Sequence, residues 1–544
     1  MRLGNLWYRS AIIYEVDVRT FYDSDGDGWG DFQGLIQRLD YIAGLGATAI
    51  WLKPFNTSPH RDGGYDVTDY YAVDHRIGTL GDFVDFMEEA SSRGIAVITE
   101  LVANHTSIDH PWFQESASSV DSPLRDFYIW REEPLAPEDS PKRIVWSGDD
   151  TDVWTEEPQT GQYYMHRFYE HQPDLNNANP SVRDEISKVL AFYLRLGVAG
   201  FRIDAAPYVA GKAADSDEFD GPHEYLKDLR HFLTQRRPDA VFMAEADVEP
   251  KNLDEYFGAG DEMNLLLNFV LSQYLFLALA EEDASSLREM VEIMPKPPES
   301  GQFANFLRNH DELDLERLSA EDRQAVFDHY APEPEMRVYG RGIRRRAAPM
   351  LDGEVERMRL AYSLLFAMPG TPIIYYGDEI GMGDDLSIPE RQAVHTPMQW
   401  DSTDNGGFST APVEDLYMPP ISKGPFAFHE INVMEQRGDP DSMLNWMRRL
   451  IATRKEAHAV ATGDWEVFDG GEPSVLGIRY RNKGDVTIIY HNLSREPARA
   501  TLPEGDLAFI YEIFSDHPYG HELKTEFTLN GSGYRWLIGQ SNPQ

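Results

Sequence analysis

Three carboxylic acids close short apolar segments of this sequence, in the stretches GFRIDAAPY, VFMAEAD and FLRNHDE. They are Asp204, Glu245 and Asp311. Cleavage of a glycosidic bond needs two carboxyl groups, because one protonates the leaving oxygen while the other attacks the anomeric carbon or activates a water molecule. One acid at a strand end is commonly a cap or a surface group, whereas three acids at three strand ends of one barrel are typical of an active site. The pattern therefore predicts chemistry on a sugar.

The neighbours of each acid indicate its role. Asp204 follows Arg202 by two residues, so both side chains point the same way on an extended strand, and the guanidinium favours an ionised nucleophile. Glu245 has apolar neighbours and two other acids nearby, which raise its pKa towards that of a general acid. Asp311 follows His310, and such a pair can bind sugar hydroxyls and stabilise positive charge in the transition state.

Short apolar segments typical of β-strands alternate with amphipathic helical segments, which is the pattern of parallel β–α–β units. Eight strands are predicted, at residues 11–18, 47–53, 95–104, 198–204, 241–245, 265–271, 303–309 and 372–376. Eight parallel strands favour an α/β fold, the (β/α)8 TIM barrel, formed by residues 1–105 and 176–460. The active site of such a barrel lies at the carboxyl ends of its strands, where the three acids stand.

Three regions depart from this alternation. Residues 106–175 are rich in Asp, Pro, Tyr and Trp without a clear period, so they are predicted to form a subdomain inserted after strand 3. Residues 313–350 contain the basic stretch GRGIRRR and are predicted to form a lid-like excursion over the strand ends. Residues 461–544 contain short strands such as VLGIRY and DVTIIYHNL between Gly and Pro turns, which predicts a C-terminal β-sandwich.

The composition is strongly acidic, with 92 Asp and Glu against 49 Lys and Arg and a formal net charge of −43. Such a chain repels nucleic acids and anionic membrane surfaces, so neither is an expected partner. The absence of cysteine excludes disulfides and a thiol nucleophile. The chain has no apolar segment typical of a signal peptide or a membrane span, so we expect a cytoplasmic protein. The sequence does not fix the oligomeric state, and a homo-oligomer is one alternative.

An aspartate-rich loop follows the first predicted strand and reads DSDGDGWGD. Carboxylates at alternate positions, with glycines between them, are typical of EF-hand-like calcium loops, although the distal Glu of a true EF-hand is absent. A solvated acidic turn is the alternative. We predict a structural Ca2+ bound by Asp23, Asp25, Asp27, the Trp29 carbonyl and Asp31.

Together the blocks ELVANHTS, GFRIDAAPY, AEAD and FLRNHDE resemble, in order and spacing, the α-amylase family of retaining glycoside hydrolases and transglycosidases. The resemblance runs from Trp7 to the last residues, and it implies the roles given above for the three acids. It also implies which side chains line the subsite for the glucosyl ring, with the tyrosine as a stacking platform: Asp62, Tyr65, His105, Arg202 and His310. It further implies calcium in the aspartate-rich loop and a second calcium position near Asn104, Asp174 and Tyr208.

Within the family, the stretches YDSDGDGWGDFQGL, SPHRDGGYDVTDYY, LRNHDELDLE and HTPMQW resemble the trehalose synthase subgroup, which isomerises maltose and trehalose through a glucosyl-enzyme intermediate. The subgroup has the run Asp-Arg-Asp-Gly-Val-Arg before Thr-Pro-Met-Gln-Trp, whereas this chain reads ERQAVH and so differs at Gln392, Ala393 and His395. Because acceptor contacts decide the product, two alternatives stay open: an α-glucosidase, and a transglucosylase that transfers glucose to a small polyol such as glycerol. A sugar-binding relative without activity is a remote alternative, because such proteins usually lack one of the three acids.

Overall fold

Eight parallel strands close into a barrel in the computed structural model, which describes residues 3–136, 152–210, 223–503, 507–519 and 524–541. The barrel strands are β1 (Ile13–Val16), β2 (Ala49–Leu52), β3 (Ala96–Leu101), β4 (Gly200–Ile203), β5 (Val241–Ala244), β6 (Leu265–Leu267), β7 (Gln302–Asn305) and β8 (Thr371–Tyr375). Each strand pairs with the next one along the chain, and β8 pairs with β1. The predicted (β/α)8 fold is therefore confirmed. Seven of the observed strands are shorter than the predicted segments, and β8 has the predicted length but begins one residue earlier.

A helix follows each barrel strand. These helices are α1 (Phe32–Leu45), α2 (Leu80–Ser92), α3 (Pro180–Arg195), α4 (Glu224–Arg236), α5 (Leu253–Phe257), α6 (Phe269–Glu281), α7 (Val355–Ala367) and α8 (Met443–Glu456). Helix α1 begins where the Asp31 side chain accepts a hydrogen bond from the Gly34 amide, and it ends at Gly46, whose φ of 103° is left-handed. Among the described residues, no helix has the length and apolarity needed to cross a membrane.

The barrel interior changes from apolar to charged along the strands. Ile13, Trp51, Ile98, Met243 and Ile373 are among the apolar side chains that fill it. Two residues further along β1, β3 and β4 lie Glu15, Glu100 and Arg202, and the last two are opposite each other in the sheet register. Charged groups this deeply buried must be paired or neutralised, so the fold places its charged pairs directly below the strand ends.

Two inserted segments lie between barrel units. The first, after β3, contains a helix, Pro111–Ser118, and a three-stranded antiparallel sheet of Trp130–Arg131, Trp154–Glu157 and Gln162–Met165, while residues 137–151 of the predicted subdomain lie outside the described residues. The second, after β7, contains the helix Ala320–Tyr330 and a small sheet of Leu313–Asp314, Arg337–Val338 and Gly342–Ile343. Both segments contribute side chains to the candidate site.

A C-terminal β-domain packs on the barrel. Its main sheet has the strand order Asp464–Asp469, Val475–Asn482, Asp485–Asn492, Tyr534–Ser541 and Leu507–Ser515, and a second sheet pairs Ala498–Thr501 with Glu526–Leu529. Tyr480 donates a hydrogen bond to the carbonyl of Ala367 in α7 at 2.6 Å, and the Trp536 indole donates to Ser363 of the same helix at 2.9 Å. The predicted β-sandwich is confirmed as a domain that supports α7.

Candidate active site

Asp204 and Glu245 meet at a single guanidinium. Each is the residue directly after its strand, β4 for Asp204 and β5 for Glu245. Arg202 Nη1 lies 2.5 Å from Asp204 Oδ1, and its Nη2 lies 2.7 Å from Glu245 Oε2. The amide of Ala205, which has a left-handed φ of 48°, donates to Glu245 Oε2 at 3.1 Å. The strained turn after β4 thus directs both the Asp204 side chain and the Ala205 amide towards the Glu245 carboxyl group.

Asp311 lies beside these two acids on the loop after β7. Its Oδ1 accepts a hydrogen bond from Arg391 at 2.6 Å, and its Oδ2 lies 3.2 Å from His310 Nε2. Burial alone would raise the pKa of Asp311, but the nearby Arg391, Arg202 and Lys53 cations hold that pKa below its usual range. A carboxylate that stays ionised beside two other acids can stabilise positive charge on a reacting sugar.

The other two acids titrate higher. Burial raises the pKa of Glu245 to about 7, and the charges of Asp204 and Asp311 add to this while Arg202 opposes it. Burial likewise raises the pKa of Asp204 to about 6, and the nearby Arg202 only partly opposes this rise. The sequence had suggested that Arg202 would keep this pKa at or below its usual value. Glu245 therefore keeps its proton to a higher pH than Asp204 does.

The predicted glucosyl subsite is a buried group of hydrogen-bonded side chains. Asp62 Oδ2 accepts from Gln172 at 2.9 Å, and Asp62 Oδ1 accepts from Arg391 at 2.6 Å. The Tyr65 hydroxyl lies 2.7 Å from His310 Nε2, and the two rings are stacked with centroids 5.8 Å apart. Each of these groups belongs to a loop at the carboxyl end of the barrel, so the residues predicted from the resemblance lie together.

His105 follows β3 and lies on the side of the inserted subdomain. Its ring centroid is 5.0 Å from that of Phe168, and burial lowers its pKa to about 4. The imidazole is therefore neutral at physiological pH and available for hydrogen bonding rather than for charge pairing.

Sequence reasoning missed several charged residues of the site. Arg391 bridges Asp62 and Asp311, which lie 329 and 80 residues away along the chain. Glu15 and Glu100 stand inside the barrel, where Glu100 accepts hydrogen bonds from the Trp51 indole at 2.8 Å and Arg202 at 3.0 Å. The available signal was a charged residue inside an otherwise apolar strand, as in IYEV and AVITEL.

A three-residue contact joins the two inserted segments over the site. Tyr169, in the first segment, donates to Glu390 Oε2 at 2.7 Å, and Tyr339, in the second, donates to the same oxygen at 3.2 Å. Glu390 and Tyr339 both have left-handed φ values, 50° and 54°. Backbone strain of this kind is retained where surrounding contacts impose it, and here it holds both segments against the residue that precedes Arg391.

The aspartate-rich loop brings three of its carboxylates together. One oxygen from each of Asp23, Asp25 and Asp27 lies within 4.8 Å of the others. Asp23 also accepts hydrogen bonds from the amides of Gly26 and Gly28, at 2.7 and 2.8 Å, which folds the loop around its side chain. Asp31 instead caps helix α1 and accepts two hydrogen bonds from Ser24. The oxygen donors fit a hard cation such as Ca2+, with Asp31 placed to support the loop.

The second calcium position already contains a protein cation. Asn104 Nδ2 donates to Asp174 Oδ1 at 3.2 Å, and Arg167 Nε lies 3.8 Å from Asp174. The same guanidinium lies 4.9 Å from the centre of the Tyr208 ring. Arg167 thus supplies a positive charge between the residues named for the metal.

Comparison with known proteins gives consistent matches. A family model described as the α-amylase catalytic domain matches residues 15–329 and 343–463. A trehalose synthase of Thermus thermophilus is 42% identical over 535 residues, which cover 97% of this chain and 55% of that protein, so the chain spans about half of its length. A trehalose synthase/amylase of Mycolicibacterium smegmatis is 40% identical, with 98% and 92% covered. The solved trehalulose synthase of Pseudomonas mesoacidophila has a TM-score of 0.79 at 26% identity, with 99% and 100% covered.

Proposed function

Because the chain belongs to the α-amylase family, as an α-glucosyl isomerase or transferase, we propose that it interconverts maltose and trehalose. The relatives named trehalose synthase match 97% and 98% of the chain. The observation that carries the proposal is the pair of ion pairs that Arg391 forms with Asp62 and Asp311. They join loops that are far apart in the sequence, beside the predicted glucosyl subsite.

This ion pair favours a small substrate. Asp62 follows β2, Arg391 follows β8, and their side chains meet at 2.6 Å, so the loops are tied together beside the subsite. The contact of Tyr169 and Tyr339 with Glu390 ties the two inserted segments above it. Loops tied together in this way favour a terminal glucosyl unit, whereas an open cleft would be needed for the interior of a polysaccharide.

In the first half of the proposed reaction, a carboxylate oxygen of Asp204 attacks the anomeric carbon of the glucosyl unit. The bond from that carbon to the leaving oxygen breaks, and Glu245 transfers its proton to this oxygen, which becomes the 4-hydroxyl of free glucose. Asp311, ionised and held by Arg391, stabilises the positive charge that develops on the ring.

In the second half, the released glucose turns within the closed pocket and presents its anomeric hydroxyl. Glu245, now ionised, removes the proton of this hydroxyl, whose oxygen attacks the anomeric carbon and displaces Asp204. Two inversions give net retention, and the product is trehalose. Retention of glucose in the pocket between the two halves distinguishes isomerisation from hydrolysis.

The run before Thr-Pro-Met-Gln-Trp differs from that of the trehalose synthase subgroup at Gln392, Ala393 and His395. His395 is buried, and its Nε2 donates to the carbonyl of His310 at 2.7 Å, while Ala393 is also buried. His395 therefore supports the backbone of His310, one of the residues predicted for the glucosyl subsite. Glu390 and Arg391, which face the pocket, keep the acidic and basic character of the subgroup run.

Product analysis tests the proposal. Purified protein is incubated with maltose alone, and then with maltose and glycerol, and the sugars are separated by chromatography and identified by NMR. We expect trehalose as the main product in both reactions. Glucose alone would instead establish the α-glucosidase alternative, and glucosylglycerol as the main product would establish polyol transfer.

A pair of variants connects this activity with the site. Asp204→Ala should lower turnover of maltose by at least about 10³-fold, because the nucleophile is lost. Asp85→Ala removes an exposed carboxylate from α2 and should leave turnover unchanged. Near-normal activity of Asp204→Ala, with an unchanged circular dichroism spectrum, would refute the assignment of the nucleophile.

A further inference from the structure

Glu15 is a buried acid that the reaction described above does not use. It stands inside the barrel on β1 with 0% of its surface exposed. Its Oε1 lies 2.5 Å from His310 Nδ1, so one hydrogen is shared between the carboxyl group and the imidazole. Its Oε2 has no hydrogen-bond partner among the described residues. An ionised carboxylate with one unpaired oxygen in such a place would carry a large desolvation cost.

The other nitrogen of His310 faces the reactive side of the pocket. Its Nε2 lies 2.7 Å from the Tyr65 hydroxyl and 3.2 Å from Asp311 Oδ2. The Tyr65 hydroxyl in turn donates to Glu100 Oε1 at 3.3 Å. Glu15, His310, Tyr65 and Glu100 therefore form one buried hydrogen-bonded chain that ends at Arg202, which contacts Glu100 at 3.0 Å.

The position of the shared hydrogen decides what Nε2 can do. If the carboxyl group of Glu15 keeps it, Nδ1 accepts a hydrogen bond and the imidazole carries its own hydrogen on Nε2, where it can be donated to the pocket. If Glu15 is ionised and Nδ1 carries the hydrogen, the lone pair of Nε2 points towards the ionised carboxylate of Asp311 at 3.2 Å, which is repulsive.

The electrostatic surroundings agree with a neutral pair. Burial raises the pKa of Glu15 well above its usual range, and burial lowers the pKa of His310 well below its own. The charged and titratable groups that face the pair come from several elements: Lys53, Glu100, Arg202, Asp311, Arg391 and His395. The cations among them would favour an ionised Glu15 and the acids oppose this, so burial decides the outcome.

We propose that Glu15 is a positioning residue: its neutral carboxyl group donates to His310 Nδ1 and so fixes the imidazole in the tautomer with its hydrogen on Nε2. That hydrogen is then directed at the space between Tyr65 and Asp311, where a hydroxyl of the glucosyl ring would lie. The inference rests on the proposed function for the identity of the substrate, but the tautomer is a property of the free enzyme.

Two variants separate this role from simple packing. In Glu15→Gln the amide nitrogen can donate to Nδ1 as the neutral acid does, so the Nε2–H tautomer, kcat and KM should stay near wild-type values. In Glu15→Met the side chain has a comparable length but no donor, so the tautomer is no longer fixed. We expect kcat for maltose to fall by about 10- to 100-fold in this variant, with little change in KM.

The tautomer itself is read by NMR of protein with 15N-labelled imidazole rings, in the absence of substrate. The signal of His310 among the 16 histidines is assigned by its loss in His310→Gln. An Nε2–H pattern in the wild type and Glu15→Gln, and its loss in Glu15→Met, would support the proposal. An Nδ1–H or doubly protonated ring in the wild type would overturn it, and so would wild-type kcat in a folded Glu15→Met. Should Glu15→Met not fold, the wild-type pattern alone decides.

This readout is independent of the product analysis. If maltose is not converted but the Nε2–H pattern is present, the proposed function fails and the inference about Glu15 stands. If trehalose is formed but the ring carries its hydrogen on Nδ1, the function stands and the inference fails.

Discussion

Arg202 is shared by three carboxylates, Glu100, Asp204 and Glu245, at 3.0, 2.5 and 2.7 Å. One positive charge cannot compensate three buried negative ones, so at least one of these acids is more stable with a proton. Burial raises the pKa of both Glu100 and Glu245 to about 7. Glu245 is the most exposed of the three, so a proton on it is the most accessible from outside the barrel.

These pKa values predict a narrow pH optimum. Asp204 must be ionised to attack, so kcat/KM should fall as the pH drops below its pKa of about 6. Glu245 must be protonated to assist the leaving group, so kcat/KM should also fall as the pH rises above about 7. A profile of kcat/KM for maltose between pH 4 and 9 should therefore be bell-shaped, with its maximum between these values.

The alkaline limb can be assigned with a donor whose leaving group needs no proton. With α-glucosyl fluoride, departure of fluoride does not depend on Glu245, so the first half-reaction should lose its alkaline limb. Glu245→Gln should turn over maltose very slowly and yet still form the glucosyl-enzyme from the fluoride. An alkaline limb that persists unchanged with the fluoride would contradict the role of Glu245 as the acid.

The sequence pattern singled out Asp204, Glu245 and Asp311 because each closes an apolar segment, and the structure brings these three acids to the same end of the barrel. It did not locate Arg391, because the importance of this residue comes from contacts with Asp62 and Asp311, which are 329 and 80 positions away. The role of Glu15 was hidden for the same reason, since His310 is 295 positions away. Pairings between loops of a barrel depend on how it closes, and a local pattern in one segment does not contain that information.

At the scale of elements, strands such as β2, β4 and β5 were predictable because they are buried on both faces and read as short, mainly apolar runs. Their ends were less predictable. The segment 95–104 was predicted as one strand, whereas β3 ends at Leu101 and the chain then turns so that Asn104 and His105 contact the inserted subdomain. The polar residues that follow the apolar run belong to the loop that carries the site. The alternation of side chains along the strand gives no signal for where the strand ends and this loop begins.

The aspartate-rich loop gives a prediction at the same scale. Without a cation, the carboxylates of Asp23, Asp25 and Asp27 repel one another within 4.8 Å, so we expect bound calcium to stabilise the fold. Removal of calcium with a chelator should lower Tm, and calcium at about 100 times its Kd should restore about 2.7 kcal/mol. Elemental analysis of the purified, undialysed protein should find about one calcium per chain.

Variants of the loop provide the control. The double substitution Asp25→Asn and Asp27→Asn removes two of the charges, so it should abolish the dependence of Tm on calcium and relieve the repulsion in its absence. Asp31→Ala removes the side chain that caps α1, so it should lower Tm and keep the dependence on calcium. Absence of calcium from the wild-type protein, together with a Tm that the chelator does not change, would show that the loop is a solvated acidic turn.

At the scale of the whole molecule, the site is assembled from parts that lie far apart in the sequence. The barrel supplies the acids, the two inserted segments meet over them at Glu390, and the C-terminal domain holds α7 through Trp536 and Tyr480. Since α7 leads into β8, which precedes Arg391, the C-terminal domain stabilises the part of the barrel that carries the end of the pocket.

The net charge of −43 is a property of the same scale and gives the last prediction. The acids are crowded on exposed helix faces: α2 carries Asp82, Asp85, Glu88 and Glu89, with no basic residue in its last turn. Like charges three and four residues apart destabilise a helix, and a uniformly negative surface destabilises the compact state.

The repulsion is screened over about 10 Å at 0.1 M salt and about 3 Å at 1 M. Tm should therefore rise steadily as KCl is increased over this range, whereas sucrose at equal osmolality should not reproduce the whole increase. A Tm that stays constant or falls with KCl would mean that local pairs, such as Arg93 with Glu89 at 2.6 Å, already balance the surface charge.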